Sequence, residues 1–383
     1  MAVRTAESPL SDAAPLGAIS VRRALVMVAG AALLVGSIVL IAPAIADLPD
    51  AWHRLEHGDG RWLLFALVLE ALSFLGHAIL FRAVGLDERG RIDLRASVEI
   101  TLAGHAATRL LASAGAGGIA LTAWAMRRAG LDRATVGARM TTFLVLLYSI
   151  YMGALVVGGL GLATGVLAGG GSAAITVVPA IFGASVIGVA LAAQRIRPGE
   201  GRVRRVLAPV AQGVRDARGL IRTGNAGLVG ALMWWAFDIA VLWACFEAFG
   251  ASPAIGVLVV AYFVGTLANT LPLPGGIGGV EGGMIGALVA FGVEADLALI
   301  AVLAYRGFAF WLPIVPGAIA FVTLRRTVAR WELEDGVESI EWKASAVSST
   351  TQTCSGDSRR WPSRCRVPSH SPGLTTPSSS LST

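Results

Sequence analysis

The sequence predicts an all-α protein, a polytopic transmembrane helical bundle of about eight full spans, two glycine-rich broken or re-entrant segments and an internal repeat. Three observations carry this. Hydrophobic residues make up 55% of the chain and charged residues 15%, against about 25% charged in an ordinary soluble domain. The apolar residues come in uninterrupted runs long enough to cross a hydrocarbon core, and they lack the alternation that barrel strands would show. The 31 basic residues, nearly all arginine, sit in short loops between those runs. That is the distribution the positive-inside rule produces, so the net charge of +6 reports topology, and no nucleic-acid partner is expected.

Residues 1–23 are polar and Ala/Pro-rich and are expected to be a disordered cytoplasmic N-terminus. Arg22 and Arg23 precede an apolar run over 24–46. The run ends in a small-residue triplet like a signal-peptidase site, but it exceeds the usual apolar region of a signal peptide and reads as a first span. A second span is expected over 62–81, followed by Arg82, Arg89, Arg91 and Arg95. Residues 96–126 start and end at basic loops with glycines between them, the pattern of two thin spans or one broken hairpin. Spans follow at 140–162 and 174–193. Residues 194–225 are arginine-rich, with Val206, Val210, Val214 and Leu220 interspersed. They read either as an amphipathic helix lying on the cytoplasmic surface or as a solvated loop that fixes orientation. Further spans are expected at 227–249, 254–271 and 297–322, with a short apolar stretch at 284–293. The transmembrane domain thus covers 24–325, with both termini cytoplasmic. Residues 326–383 form a cytoplasmic tail, Ser/Thr/Pro-rich from about Ala344 and expected to be disordered there.

The two breaks correspond in position. Gly115, Gly117 and Gly118 interrupt the first half, and Pro272, Pro274, Gly275, Gly276, Gly278 and Gly279 the second. Each following stretch ends in glycine plus an aliphatic residue, Gly130-Leu131 and Gly292-Val293. Lipid cannot satisfy non-helical backbone, so such segments must be buried in protein or line a wet cavity. Paired interruptions of this kind point to a transporter's substrate site. Isolated glycine pairs elsewhere need only allow close helix packing. Ionisable residues inside spans face the bundle interior because lipid exposure is costly. Arg109 lies just before the first break and Glu281 within the second, while Arg306 lies in the last span and Asp238 follows Trp234-Trp235. A buried Glu281–Arg306 pair would neutralise two charges, either structurally or as a gate for an anionic head group. Asp238 is expected to partner Arg306 or Arg109. Glu70 and His77 share a helix face, and His105 is one turn from Arg109. The five histidines are scattered, and Cys245, Cys354 and Cys365 have no metal-site spacing. No metal, cofactor or catalytic residue is expected.

The string Asn269-Thr-Leu-Pro-Leu-Pro-Gly-Gly-Ile-Gly-Gly-Val-Glu281, with Tyr305-Arg306, Trp311-Leu312-Pro313 and Gly317, resembles the lysylphosphatidylglycerol synthase transmembrane (flippase-like) family. The resemblance covers roughly residues 24–325. It implies a membrane domain that moves aminoacylated phospholipid between leaflets, beside a soluble transferase domain in the full synthases. Only about sixty residues follow the last span here, so no enzyme activity is expected. The Ala- and Arg-rich composition suggests a high-GC bacterium and hence a bacterial cytoplasmic membrane. A phospholipid partner is expected, with Arg109, Arg306, Glu281, Asp238 and Asn269 as substrate-binding candidates. The alternative from another class is a membrane accessory protein that docks a separate lipid or glycan synthase through its basic segment.

Overall fold

The computed structural model describes residues 56–85, 90–110, 116–193, 195, 202–267 and 278–354, without the side chains of 202–207 and 336–354. The expected first span, Gly115 and the stretch holding Asn269, Pro272, Pro274, Gly275 and Gly276 lie outside these residues. The chain divides into two units, 1–332 and 333–383.

The described residues are helical and contain no strand. In order they form α1 (Gly60–Gly85), α2 (Leu94–Leu110), α3 (Ala116–Arg128), α4 (Arg133–Ala163), α5 (Ala173–Ala193), α6 (Arg202–Arg222) and α7 (Val229–Phe249). Then come α8 (Ile255–Thr266), α9 (Gly279–Ala290), α10 (Ala295–Arg306), a π turn (Gly307–Trp311) and α11 (Ile314–Cys354). Five helical stretches among the described residues are long and apolar enough to cross a membrane: α1, α4, α5, α7 with its leading turn, and the run Ala295–Asp335. The α8 and α9 helices are apolar but have only 12 residues each. At 1.5 Å per residue each reaches about 18 Å, short of the roughly 30 Å hydrocarbon core. Of residues 254–271, read as a full span, the described part thus supplies a half-span, which packs against the half-span α9.

Helix α1 runs antiparallel to α7. Asp59 N–H donates to Ala248 O at one end (2.9 Å), and Gly76 meets Gly230 further along. A methyl group on Gly230 would lie 2.3 Å from the Gly76 carbonyl oxygen, so the backbones touch where a side chain would separate them. Each of these helices leads into a pair of short helices folded against each other, α2 with α3 and α8 with α9. The two pairs also end alike. Leu131 N–H reaches Met126 O and Val293 N–H reaches Leu288 O, each across a glycine of positive φ, Gly130 at 105° and Gly292 at 88°. This six-to-one bond over a left-handed residue is the Schellman closure. With α1 and α7 antiparallel, the matching order of elements gives two halves of opposite orientation.

Two apolar cores result. The larger joins α1, α4, α7, α8, α9 and α10 around Leu242, Phe246, Tyr262 and Phe263. The smaller joins α2, α3 and the first part of α11 around Ile100, Leu121, Met126 and Leu324. Glu99, near the start of α2, is buried there; its carboxylate accepts from Thr327 Oγ1 (2.8 Å) and Arg95 Nε (3.2 Å).

Three expectations change. The basic segment does contain an amphipathic helix, α6, but its apolar side packs on protein. Ala211, Val214 and Ala217 are buried, and Gly213 sits against Thr141 of α4, while Val210 stays exposed. The span expected over 297–322 is interrupted after Arg306: Leu312 N–H bonds five residues back to Gly307 O (2.9 Å), and Pro313, lacking an N–H, cannot continue the ladder. Residues 344–354, expected to lack structure, continue α11 as helix.

Gly230→Ala and Gly118→Ala, whose new methyls would lie 2.3 and 2.2 Å from existing atoms, are each expected to cost about 1–3 kcal/mol. Gly137→Ala, in open space within α4, is expected to hold or raise stability by up to about 1 kcal/mol. Thermal unfolding in detergent, read by intrinsic tryptophan fluorescence, separates the two classes.

Candidate functional site

The charged side chains of the spans converge at the interior of the larger unit. Glu70 lies ten residues into α1 and Asp238 nine into α7. Each is thus about 14–15 Å from its helix start, roughly half the depth of a hydrocarbon core. Glu70 is 3% exposed and Asp238 6%, and the two carboxyls lie within hydrogen-bonding reach of each other. Asp238 Oδ2 accepts from the Tyr262 hydroxyl of α8 and from the Tyr305 hydroxyl of α10 (3.1 Å). The hydrogen bonds of Asp238 thus go to two phenols, while Arg109, one of the partners its sequence position suggested, acts on it electrostatically. The phenols stabilise a buried carboxyl without adding a cation.

Arg306 ends α10 and is 8% exposed. Its Nε donates to Glu281 Oε1 at 2.6 Å, while Glu281 Oε2 accepts from Gly278 N–H at 2.8 Å. The carboxylate thus occupies the N-terminus of α9, where free N–H groups and the helix dipole favour an anion. The glycines 279, 282 and 283 read as part of the break, but they belong to this helix, which starts at Gly279. Gly283 lies against Gly265 of α8.

Arg109, at the end of α2, approaches from the other half of the molecule. Its Nη2 donates to Ala309 O in the π turn at 2.7 Å. Its guanidinium lies 5.9 Å from the Phe74 ring and 5.4 Å from the Phe310 ring, and Arg306 lies 4.4 Å from the same Phe310 ring. All three contacts are within cation–π range. Arg109 Nη1 is buried without a hydrogen-bond partner among the described residues. A guanidinium has five donors in a fixed fork, so this one presents an unused donor beside a second arginine.

Beyond Phe74 the site continues into an aromatic cluster. His105 stacks on Trp234 with centroids 5.1 Å apart, and His77 lies 4.8 Å from His105 and 4.5 Å from Trp234. His77 and His105 line a cavity of about 270 Å³ between α1, α2, α3 and α4. Its walls are mostly apolar, with Gly118 and Thr101 on one side and Arg139 and Tyr148 on α4. Thr101 Oγ1 and His77 Nδ1 also lack hydrogen-bond partners among the described residues.

The structure thus brings Arg109, Arg306, Glu281 and Asp238 into one region. Phe310, Phe74, Tyr262 and the Ala309 carbonyl were not singled out from sequence. Aromatic residues and a carbonyl inside apolar runs carry no local signal, and only the fold juxtaposes them. No cluster of three or more potential metal ligands occurs among the described residues.

Long apolar helices, half-span helix pairs and intramembrane charges facing inward define a multi-pass α-helical membrane protein. The chain belongs to the family described as the lysylphosphatidylglycerol synthase TM region, whose profile matches residues 26–317. Three relatives from Methanothermobacter thermautotrophicus, each called a UPF0104 membrane protein, are similar to it. One is 27% identical over 326 residues, covering 78% of this chain and 94% of the relative. The others are 37% identical over 93 residues and 33% over 90, spanning 26% and 27% of those relatives.

Arg306→Ala is expected to destabilise the protein by about 3–5 kcal/mol because it strands Glu281. The double variant Arg306→Met/Glu281→Gln should recover most of that loss. A double-mutant cycle on thermal unfolding checks this; additive losses would mean the pair is uncoupled.

Proposed function

We propose that the protein moves an anionic or aminoacylated phospholipid, or another lipid-linked anion, between leaflets of a bacterial cytoplasmic membrane, with both termini cytoplasmic. The observation that carries this reading is the pair of arginines on one Phe310 ring, one of them with a buried, unused donor. Such a donor pair fits the geometry of a phosphate oxyanion.

In this reading Glu281 stands in for the substrate. It holds the α9 N-terminus and Arg306 at once, both of which would suit a phosphate. An entering head group displaces the Glu281 carboxylate from Arg306, loosens the α9–α10 junction and recruits the free Arg109 donor. The site then opens because its internal ion pair is exchanged for an external one. The cavity of about 270 Å³ falls just below the roughly 300–1,000 Å³ of ligand pockets. It takes part of a lipid, and the apolar remainder stays toward the bilayer. The protein performs no bond chemistry in this proposal.

Docking of a separate lipid or glycan synthase is the second reading. The observation that favours it is the outward face of α6, where Arg218 and Arg222 remain exposed while the apolar face is covered. Co-purification of a synthase lost on charge reversal of that face would support it.

In proteoliposomes, labelled phosphatidylglycerol is expected to change leaflets with wild-type protein. The rate should fall at least about tenfold with Arg109→Gln, the loss of a charged hydrogen bond to phosphate being worth about 1.5–3 kcal/mol. Dithionite quenching of the exposed leaflet reads the rate. Wild-type rates equal to those of empty vesicles, for both anionic and aminoacylated lipid, would remove the proposal.

A further inference from the structure

The deepest charged groups of the site exceed what head-group binding needs. Three carboxyls, Glu70, Asp238 and Glu281, face two guanidiniums, Arg109 and Arg306. Full ionisation would leave one excess negative charge in the membrane interior, and a single proton removes it. Two of the carboxyls, Glu70 and Asp238, lie within hydrogen-bonding reach, and neighbouring carboxylates in a low-dielectric site cannot both ionise cheaply. Glu70 is 3% exposed, and its Oε2 has no hydrogen-bond partner among the described residues. The carboxyl near it, Asp238, already holds two tyrosine hydroxyls.

We infer that Glu70 and Asp238 form a proton-binding site that carries one proton with each negative charge the protein moves. The inference rests on the transport reading given above. Ionisable groups face the pair from several elements. On α7, Cys245 lies on the Glu70 side. From α2 come Arg109 and, beyond it, His105. Tyr262 on α8 and Tyr305 and Arg306 on α10 close the far side, with Glu281 of α9 behind Arg306. The ionisable residue of α4 at this level, Tyr151, gives its hydroxyl to Phe263 O (2.6 Å) and takes no part.

The balance is simple. When the site faces one side, an O–H bond forms on the Glu70–Asp238 pair with a proton from that side's water. The anionic head group enters beside Arg109 and Arg306, and its charge favours keeping the proton. Protein, proton and anion then have the same net charge as the protein with its proton lost and no cargo. On the other side the anion leaves, the attraction that it added for the proton is lost, and the O–H bond breaks as the proton passes to that side's water. His77 lies seven residues from Glu70 on the same helix, about 10 Å along it, and lines the cavity. The cavity therefore comes to within two turns of the pair.

The test has two arms. In proteoliposomes with labelled phosphatidylglycerol, a gradient of one pH unit, acid outside, should enrich the lipid about tenfold on the inner leaflet, the ratio that one proton per lipid gives. Glu70→Gln and Asp238→Asn, both close in shape to the native residues, should abolish the enrichment. Translocation with no dependence on the gradient would overturn the inference and leave the transport reading standing. Absence of any translocation would remove the transport reading. The second arm then decides on the proton site alone, because it needs no substrate. Infrared spectra of the lipid-reconstituted protein at neutral pH should show a protonated-carboxyl stretch that shifts in heavy water and disappears in Glu70→Gln or Asp238→Asn. Lack of that band in the wild-type protein, which requires no variant to fold, would overturn the site.

Discussion

An ionised group within a bilayer finds no partner outside the protein, and the interior of this molecule is arranged around that constraint. Each charge at depth is answered by a different device. Arg306 is answered by a carboxylate, Asp238 by two phenols, and Arg109 by a carbonyl and two aromatic rings. The charges and their partners together come from seven different segments of the chain. The site can therefore exist only once both halves have folded against each other, and the close approach of α1 and α7 at Gly76 and Gly230 brings the halves together.

The devices differ in how readily they can be exchanged. The phenol–carboxyl contacts of Asp238 lie among α7, α8 and α10 and are fully enclosed. The Glu281–Arg306 pair sits at a helix terminus, next to a π turn and a proline. A broken helix there already has its backbone ladder interrupted, so movement costs fewer hydrogen bonds than it would in a continuous helix. The arrangement separates a fixed acidic centre from a cationic rim that can rearrange.

Much of the fold was legible in the sequence because hydrophobic runs and glycine breaks are local signals. The expected spans at 62–81, 140–162, 174–193 and 227–249 lie within or nearly coincide with α1, α4, α5 and α7. The glycine-aliphatic ends at 130–131 and 292–293 turned out to be equivalent helix closures. Helix length was less legible, since Ile255–Thr266 is as apolar as a span yet stops after 12 residues. The π turn after Arg306 was hidden because its residues are ordinary for a span. Arg109, Arg306, Glu281 and Asp238 stood out as charges in apolar runs, but their partners did not. Glu281 and Arg306 are 25 residues apart and Arg109 and Ala309 are 200 apart, and no pattern of period or spacing links such positions. Charge suggests charge, so Asp238 points to the arginines in the sequence, and the two hydroxyls that the neighbouring helices add to it carry no such signal.

The central claim is that an anionic head group binds between Arg109 and Arg306 in exchange for Glu281. Native mass spectrometry of the purified protein, exposed to equal amounts of phosphatidylglycerol and phosphatidylcholine, tests it most directly. The account predicts preferential retention of the anionic lipid, strengthened by Glu281→Gln and lost with Arg109→Gln. Equal retention of both lipids, unchanged by either substitution, would contradict it.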